Sequence, residues 1–369
     1  MARRLLLAFF VLVAALALSD CGTGFKLPAE VHRTLAPGNG EYVRLDTKTG
    51  FSGVADLLLT KSATASNEQL YVLYKDPSAH GGVGLVSLTQ SLGDTLSFVY
   101  PTLQHPVAVC GNATRLFVLD QGDSCLARAI RPSDGHCDSN VVNFQYAWRV
   151  REFFPDGGDT VSSFTDTTFA WVQGIAVDDQ QRIYVSGLSI LVTINPDNPF
   201  YYYRRYVWRI FRYVKGGTDP RMPGASWHRD DGYAIEEGSG LGTVSDPVGL
   251  DWSPAQGGAL FIADAGNNRA QRRSDPPSAF DYLLLDGAQG AMIGPVDVSA
   301  DLSGYSYVID AGHESVSRFH STGQGLGEYV QQVDLDGTPL VHPIALAADD
   351  DKVYVADQAG TIAVFQRHK

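Results

Sequence analysis

The feature that most limits what this chain can become is a short strand-like run that recurs six times. The copies are Leu70-Tyr71-Val72-Leu73-Tyr74, Leu116-Phe117-Val118-Leu119-Asp120, Ile183-Tyr184-Val185-Ser186-Gly187, Leu260-Phe261-Ile262-Ala263-Asp264, Ser306-Tyr307-Val308-Ile309-Asp310 and Val353-Tyr354-Val355-Ala356-Asp357. The second position is aromatic and the third is β-branched in every copy. Those residue types at those places belong to a buried strand. Counted at the fifth position, where Asp stands in four of the six, successive copies lie 46, 67, 77, 46 and 47 residues apart. A period of this size marks a propeller or an array, whose units are each too small to bury their own apolar face.

The flanks of each run repeat too. Before it comes an apolar strand opened by a kink: Pro106-Val107, Gly174-Ile175, Pro247-Val248, Pro295-Val296 and Pro343-Ile344. Proline suits the first residue of a strand, where no N–H is needed for the ladder. After it comes a tight turn and a third strand, as in Ser315 to Phe319 and Thr361 to Phe365. The fifth-position Asp is expected to accept backbone N–H groups ahead of it as an Asx-turn. The glycine two residues on (Gly122, Gly266, Gly312) is expected to take a positive φ.

The segment Pro247-Val248-Gly249-Leu250-Asp251, followed by Leu260 to Arg269 with its Asp264-Ala265-Gly266-Asn267-Asn268 turn, resembles the NHL repeat. Gly238-Ser239-Gly240-Leu241-Gly242 and Asp246 match that family's loop before the first strand. The resemblance spans roughly residues 42–369. It implies an all-β, six-bladed β-propeller of four-stranded antiparallel blades, with insertions near 188–205 and 216–238. Seven blades fit the length as the alternative. The chain stops just after a third strand, so the last blade lacks its outer strand. Glu41-Tyr42-Val43-Arg44-Leu45 has period-2 character and no blade of its own, and is expected to fill that place and close the ring.

Residues 1–20 read as a signal peptide: Arg3 and Arg4 precede fourteen apolar residues, Leu5 to Leu18, which is short for a membrane span. Cys21 follows in a lipobox-like setting and is the candidate for lipidation. Residues 21–40 read as a flexible tether and residues 41–369 as the propeller. The expected location is the cell envelope, either lipid-anchored or periplasmic or secreted, with a membrane contact only through that anchor. Cys125 and Cys137 flank a Pro-Ser-Asp-Gly turn and are the candidate disulfide. A net charge of −13 opposes nucleic acid as a partner.

The insertions carry the candidate binding residues Tyr201, Tyr202, Tyr203, Arg204, Arg205, Trp227, His228, Arg229 and Asp230. Aromatic and Arg side chains on long loops are contact chemistry. The expected partner is an envelope protein, peptide or glycan, and the chain itself is expected to be a monomer. No catalytic residue is assigned. The positions after the kink proline are Val107, Val248, Val296 and Ile344, which cannot ligate a metal. His105 and His342 fall in the loops instead. No metal site and no cofactor are assigned, with a structural calcium in the central channel left open. The alternative function is a metal-dependent hydrolase or lyase using channel acids such as Asp297.

Overall fold

The computed structural model describes residues 41–369 apart from 52, 61–68, 75–81, 89–91, 99–102, 104, 113, 122–147, 156–159, 195–201, 223–224, 278–280, 288–289, 322–326, 334, 336–339, 350 and 369. Cys21, Cys125 and Cys137 lie outside the described residues. All described strands belong to one unit, Asn39–Lys369. No helix among the described residues is long and apolar enough to cross a membrane.

The chain opens with β1 (Tyr42–Lys48) and then builds antiparallel meanders. The first sheet is β2 (Val54–Leu59), β3 (Leu70–Tyr74), β4 (Gly82–Leu88) and β5 (Leu92–Phe98). The second is β6 (Pro106–Gly111), β7 (Leu116–Asp120), β8 (Arg149–Phe153) and β9 (Ser162–Phe164). The third is β10 (Phe169–Val177), β11 (Ile183–Ile194), β12 (Tyr202–Lys215) and β13 (Trp227–Ile235). The fourth is β14 (Pro247–Ser253), β15 (Ala259–Asp264), β16 (Arg269–Arg273) and β17 (Tyr282–Leu284). A two-stranded hairpin follows, β18 (Asp286–Gly287) and β19 (Gly290–Ala291). The fifth sheet is β20 (Pro295–Ala300), β21 (Tyr305–Asp310), β22 (Ser315–Ser321) and β23 (Gly327–Val333). The last meander is β24 (Pro343–Ala348), β25 (Lys352–Asp357) and β26 (Ile362–Arg367). The protein is an all-β propeller of four-stranded antiparallel blades.

The strand that opens the chain finishes the sheet that ends it. β1 pairs with β26 from Tyr42↔Arg367 to Lys48↔Ile362, as the period-2 pattern of residues 41–45 predicts. The Tyr42 and Tyr307 hydroxyls meet at 2.9 Å, which ties this closing strand to the preceding blade. The first strands contact one another in sequence, β2 to β6, β10, β14, β20, β24 and back to β2.

The apolar core lies between the sheets. The recurring aromatic column (Tyr71, Phe117, Tyr184, Phe261, Tyr307, Tyr354) is at most 2% exposed, and the β-branched column after it is fully buried. One cluster of buried residues fills each seam among the described residues, including the seam that joins the last sheet to the first through Val54, Leu57, Val72, Ala347 and Tyr354. Each sheet hides its faces against two neighbours, so burial rather than local propensity holds the ring.

Two turn expectations are corrected. The fifth-position Asp reaches back toward its own first strand more than ahead. Asp120 accepts the His105 N–H at 2.7 Å, Asp264 accepts Ser245 at 2.6 Å, Asp310 accepts Ile293 at 3.0 Å and Asp357 accepts Val341 at 2.9 Å. It therefore fastens the incoming loop to the blade; Asp357 also takes a forward backbone N–H, from Thr361, and Asp264 takes forward side-chain N–H groups from Asn267 and Arg269. The glycines of the turn are there for space. Asn268 and Glu314 take the positive φ in the turn. A Cβ on Gly266 would stand 2.6 Å from the Ser245 hydroxyl, and one on Gly312 2.4 Å from the Ile293 Cβ. Gly122 lies outside the described residues.

Candidate functional site

The repeat breaks most visibly in the third sheet. β11 runs for 12 residues and β12 for 14, paired without interruption from Ile183↔Tyr213 to Ile194↔Tyr202. Their neighbours are shorter. The β10 pairing begins at Phe169↔Ser189, and the β13 pairing reaches only Ile210↔Ile235. The far end of this hairpin therefore projects as a two-stranded arm. This corrects the reading of 188–205 as a loop: Leu188–Ile194 and Tyr202–Arg205 are strand. It also corrects 216–238, most of whose length is the fourth strand of its blade, β13, with its approach.

Period-2 geometry sorts the arm into two faces. Leu188 pairs with Trp208 and with Trp171, Ile190 with Tyr206, and Val192 with Arg204. Cross-strand partners share a face, so Trp171, Leu188, Trp208, Ile190, Tyr206 and Val192 form one apolar ladder. Trp171 is 38% exposed, Tyr206 43% and Val192 54%, and Leu191 on the other face is also exposed.

The residues named from sequence divide differently. Tyr201 lies outside the described residues. Tyr202, Tyr203 and Arg204 are in β12 near the tip, and only their backbone is described. Arg205 is exposed and pairs with Glu237 at 3.0 Å. Trp227 is 1% exposed, edge-on to Phe117 and against Phe164, and donates its indole N–H to Ser162 at 3.1 Å. His228 bonds through Nδ1 to the Gly216 carbonyl. Arg229 donates to Asp166 and Thr168 and lies 4.3 Å over the Phe211 ring. Asp230 accepts from Arg212 Nε at 3.0 Å and from the Gly232 N–H. Trp227 thus fastens β13 to the second blade, and the other three fasten it within its own blade and the loops beside it. Trp171, Leu191, Val192 and Tyr206 were missed. Their signal was the alternation Leu188, Ile190, Val192, Ile194, which outruns the five-residue strands elsewhere.

The hub is the second departure. Asp56, Asp251 and Asp297 project from β2, β14 and β20 into the central channel. Each takes its own following N–H and one from the next first strand. Asp56 accepts Leu57 at 2.8 Å and Val109 at 2.7 Å; Asp251 accepts Trp252 at 2.8 Å and Ala300 at 2.7 Å; Asp297 accepts Val298 at 2.8 Å and Leu346 at 2.7 Å. Ser299 does the same for Ala348 at 3.1 Å. The first strand of a blade is a free edge toward the axis, and these side chains satisfy N–H groups that would otherwise stay unpaired there.

Charge is expensive at this depth. Burial pushes the Asp56 carboxyl up to about 7, against the pull of its two N–H bonds and with help from Asp251. Burial, then the Asp56 charge, lifts Asp297 well above the carboxylate range. Burial also raises the Cys110 thiol on the same wall. Beside the acids a cavity of about 190 Å³ opens toward Asp178, Asp179 and Trp252, and one of about 50 Å³ opens the other way, past Gln173 and Val248. Asp56, Leu250 and Asp297 line both and narrow the channel between them. His342 stays at the surface beside Glu314, at 2.8 Å.

No protein-family model matches the chain, and no curated protein matches it. Among solved structures it is similar to a catalytically inactive virginiamycin B lyase from Staphylococcus aureus with quinupristin, at 10% identity and a TM-score of 0.47, over 88% of this chain and 99% of that one. It is also similar to a streptogramin B lyase structure, at 10% identity and a TM-score of 0.49, over 89% of this chain and 98% of that one. At this identity the likeness concerns the β-propeller fold alone.

Proposed function

We propose that this chain is an exported binding or scaffold propeller of the NHL type, with six blades, tethered to the membrane through Cys21. Six four-stranded sheets whose first strands follow one another in a closed cycle support the blade count. The partner is an envelope protein or peptide that lies against the arm of the third blade. The observation that carries this reading is the apolar ladder of Trp171, Tyr206 and Val192 on strands that outrun both neighbours. Exposed apolar patches built on a rigid element favour contact with another macromolecule.

The test is a triple variant, Trp171→Ala, Val192→Asp and Tyr206→Ala. It should melt within a few degrees of the parent and no longer recover the envelope partner that the parent recovers by cross-linking in cells. Equal recovery by parent and variant refutes the arm as the site. Mass spectrometry of the mature N-terminus checks the tether: a diacylated Cys21 supports it, and an unmodified terminus elsewhere removes it.

A second reading, a metal-dependent hydrolase or lyase, is favoured by the raised carboxyls of Asp56 and Asp297 in the channel. Against it, both oxygens of each carboxylate already accept a backbone N–H. Metal analysis of the purified protein decides: a stoichiometric transition metal, lost with Asp297→Asn, would favour the enzyme.

A further inference from the structure

At the end of the strands opposite the arm, the second and third blades enclose a groove of about 510 Å³. The β6–β7 turn supplies Thr114 and Arg115, β7 supplies Phe117 and β8 supplies Glu152. The β10–β11 turn supplies Gln181, β12 supplies Lys215 and β13 supplies Trp227. The aromatic floor is fixed, since Phe117 and Trp227 are each 1% exposed and meet edge to face at 6.1 Å.

The charges above that floor are held in place and only partly spent. Glu152 is 2% exposed. It accepts Arg115 Nε at 3.0 Å, Lys215 Nζ at 2.9 Å on each oxygen, and the Ser162 hydroxyl at 2.5 Å. Burial alone would raise its carboxyl, but Ser162, Lys215 and Arg115 together hold it below the usual range. Two cations therefore face one carboxylate, which leaves one positive charge in surplus in a protein of net charge −13. Their donors are not exhausted. An ammonium has three N–H groups and a guanidinium five. Lys215 uses two of its three on Glu152 and its side chain is 48% exposed. Arg115 Nη1 donates to the Thr114 carbonyl, while Nη2 has no hydrogen bond among the described residues. The Arg115 guanidinium carbon also lies over the exposed ring of Phe154, 4.4 Å from its centroid.

We infer that this groove between the second and third blades binds a carboxylate carried on a ring, as in an acidic sugar residue of a glycan. The carboxylate takes the surplus charge and the free N–H groups of Arg115 and Lys215, in the way planar anions pair with Arg. The ring lies in the remaining space, whose volume is that of a small-molecule site. Glu152 is the positioning residue: buried and saturated, it sets both cations without touching the ligand. The inference does not rest on the arm, which is at the other end of the strands.

The test titrates the full chain with D-glucuronate, D-glucose and inorganic phosphate by calorimetry or amide shifts. D-glucuronate is expected to bind saturably at sites in the groove, with glucose at least about tenfold weaker. Lys215→Met is expected to weaken glucuronate at least about tenfold with its circular dichroism unchanged, and Lys215→Arg to keep most of the binding. The arm triple variant should bind glucuronate like the parent. Glucuronate affinity that is unchanged in Lys215→Met, or equalled by glucose, overturns the inference. Phosphate as tight as glucuronate overturns the carboxylate-on-a-ring assignment.

Discussion

Raising the pH from 5 to 8 should loosen this protein at its hub. Asp56 begins from the ordinary carboxyl value of 3.8 and is pushed up to about 7 by burial. The folded protein thus keeps a proton that the unfolded chain has already released, and that proton favours the folded state. The contribution is complete below about pH 4 and is lost as pH rises through about 7. Across the whole window it amounts to about 4 kcal/mol, at 1.36 kcal/mol per pH unit of displacement. Between pH 5 and pH 8 alone it is roughly 2–3 kcal/mol. Asp297, raised for the same reasons, adds to the same slope. The carboxyls that work in the opposite sense, Asp219, Asp230, Asp231 and Glu152, are held low by arginine, lysine or hydroxyl partners. Their contribution is present above pH 4 and fails in acid, outside this window. Urea unfolding at pH 5, 6, 7 and 8 measures the slope. The parent should lose stability steadily across the series. Asp56→Asn should make the curve shallower, because the amide oxygen can still accept an N–H and position 56 no longer titrates, which leaves Asp297 to supply the remaining slope. A parent whose stability is level from pH 5 to 8, or an Asp56→Asn variant that keeps the parent's slope, refutes this account of the hub.

Three further outcomes follow from packing. Gly312→Ala should cost about 1–3 kcal/mol in chemical denaturation, since its Cβ would stand 2.4 Å from the Ile293 Cβ and the incoming loop would have to move. Trp227→Ala should cost about 3–5 kcal/mol as a core truncation, whereas exposed Tyr206→Ala should stay within about 0.5 kcal/mol; a thermal melt separates the two. A chain beginning at residue 50 lacks β1 and leaves β26 as a free edge, so light scattering should show it associating while the full chain stays monomeric.

The repeat was legible because burial acts on residue type at fixed positions. Every second-position aromatic of the recurring run is buried, and the strand at 42–48 was readable from one missing partner. What was not legible depends on groups far apart in the chain. The partner of Asp264 is the Ser245 N–H, which approaches only when the incoming loop folds over the turn. That same approach requires Gly266 and Gly312 to lack a side chain, although neither has a positive φ. The hub acids come from three blades, and no local spacing announces that Asp56, Asp251 and Asp297 share an axis. In the arm the alternation was visible from Tyr206 to Tyr213, but the Tyr-Arg cluster before it read as a loop. Strand pairing continues through that cluster because Leu191, Val192, Thr193 and Ile194 on β11 match Arg205, Arg204, Tyr203 and Tyr202 residue for residue.

These cases point to where function must be sought in such a ring. The regular part of each blade is consumed by its seams: its faces are buried on both sides, and where the turn Asp is present it ties down the blade's own incoming loop. A residue that obeys the repeat has its contacts already assigned. Only departures have chemistry left over, and the described residues hold three of consequence. The arm exposes apolar side chains where other blades stop. Asp56 and Asp297 depart from the small residues Ala108, Gly249 and Ala345 at the equivalent level, yet their oxygens are used on N–H groups of adjoining strands. The groove of the second and third blades holds two cations against one carboxylate, with N–H groups unspent. By that criterion the hub is an architectural device with a titrating proton, and the arm and the groove are the places with unfilled bonding capacity. Lys215→Met and the arm triple variant should therefore change binding without moving the pH slope of stability, and Asp56→Asn should move the slope without changing either binding event. An Asp56→Asn protein that folds like the parent and binds neither ligand would break this division.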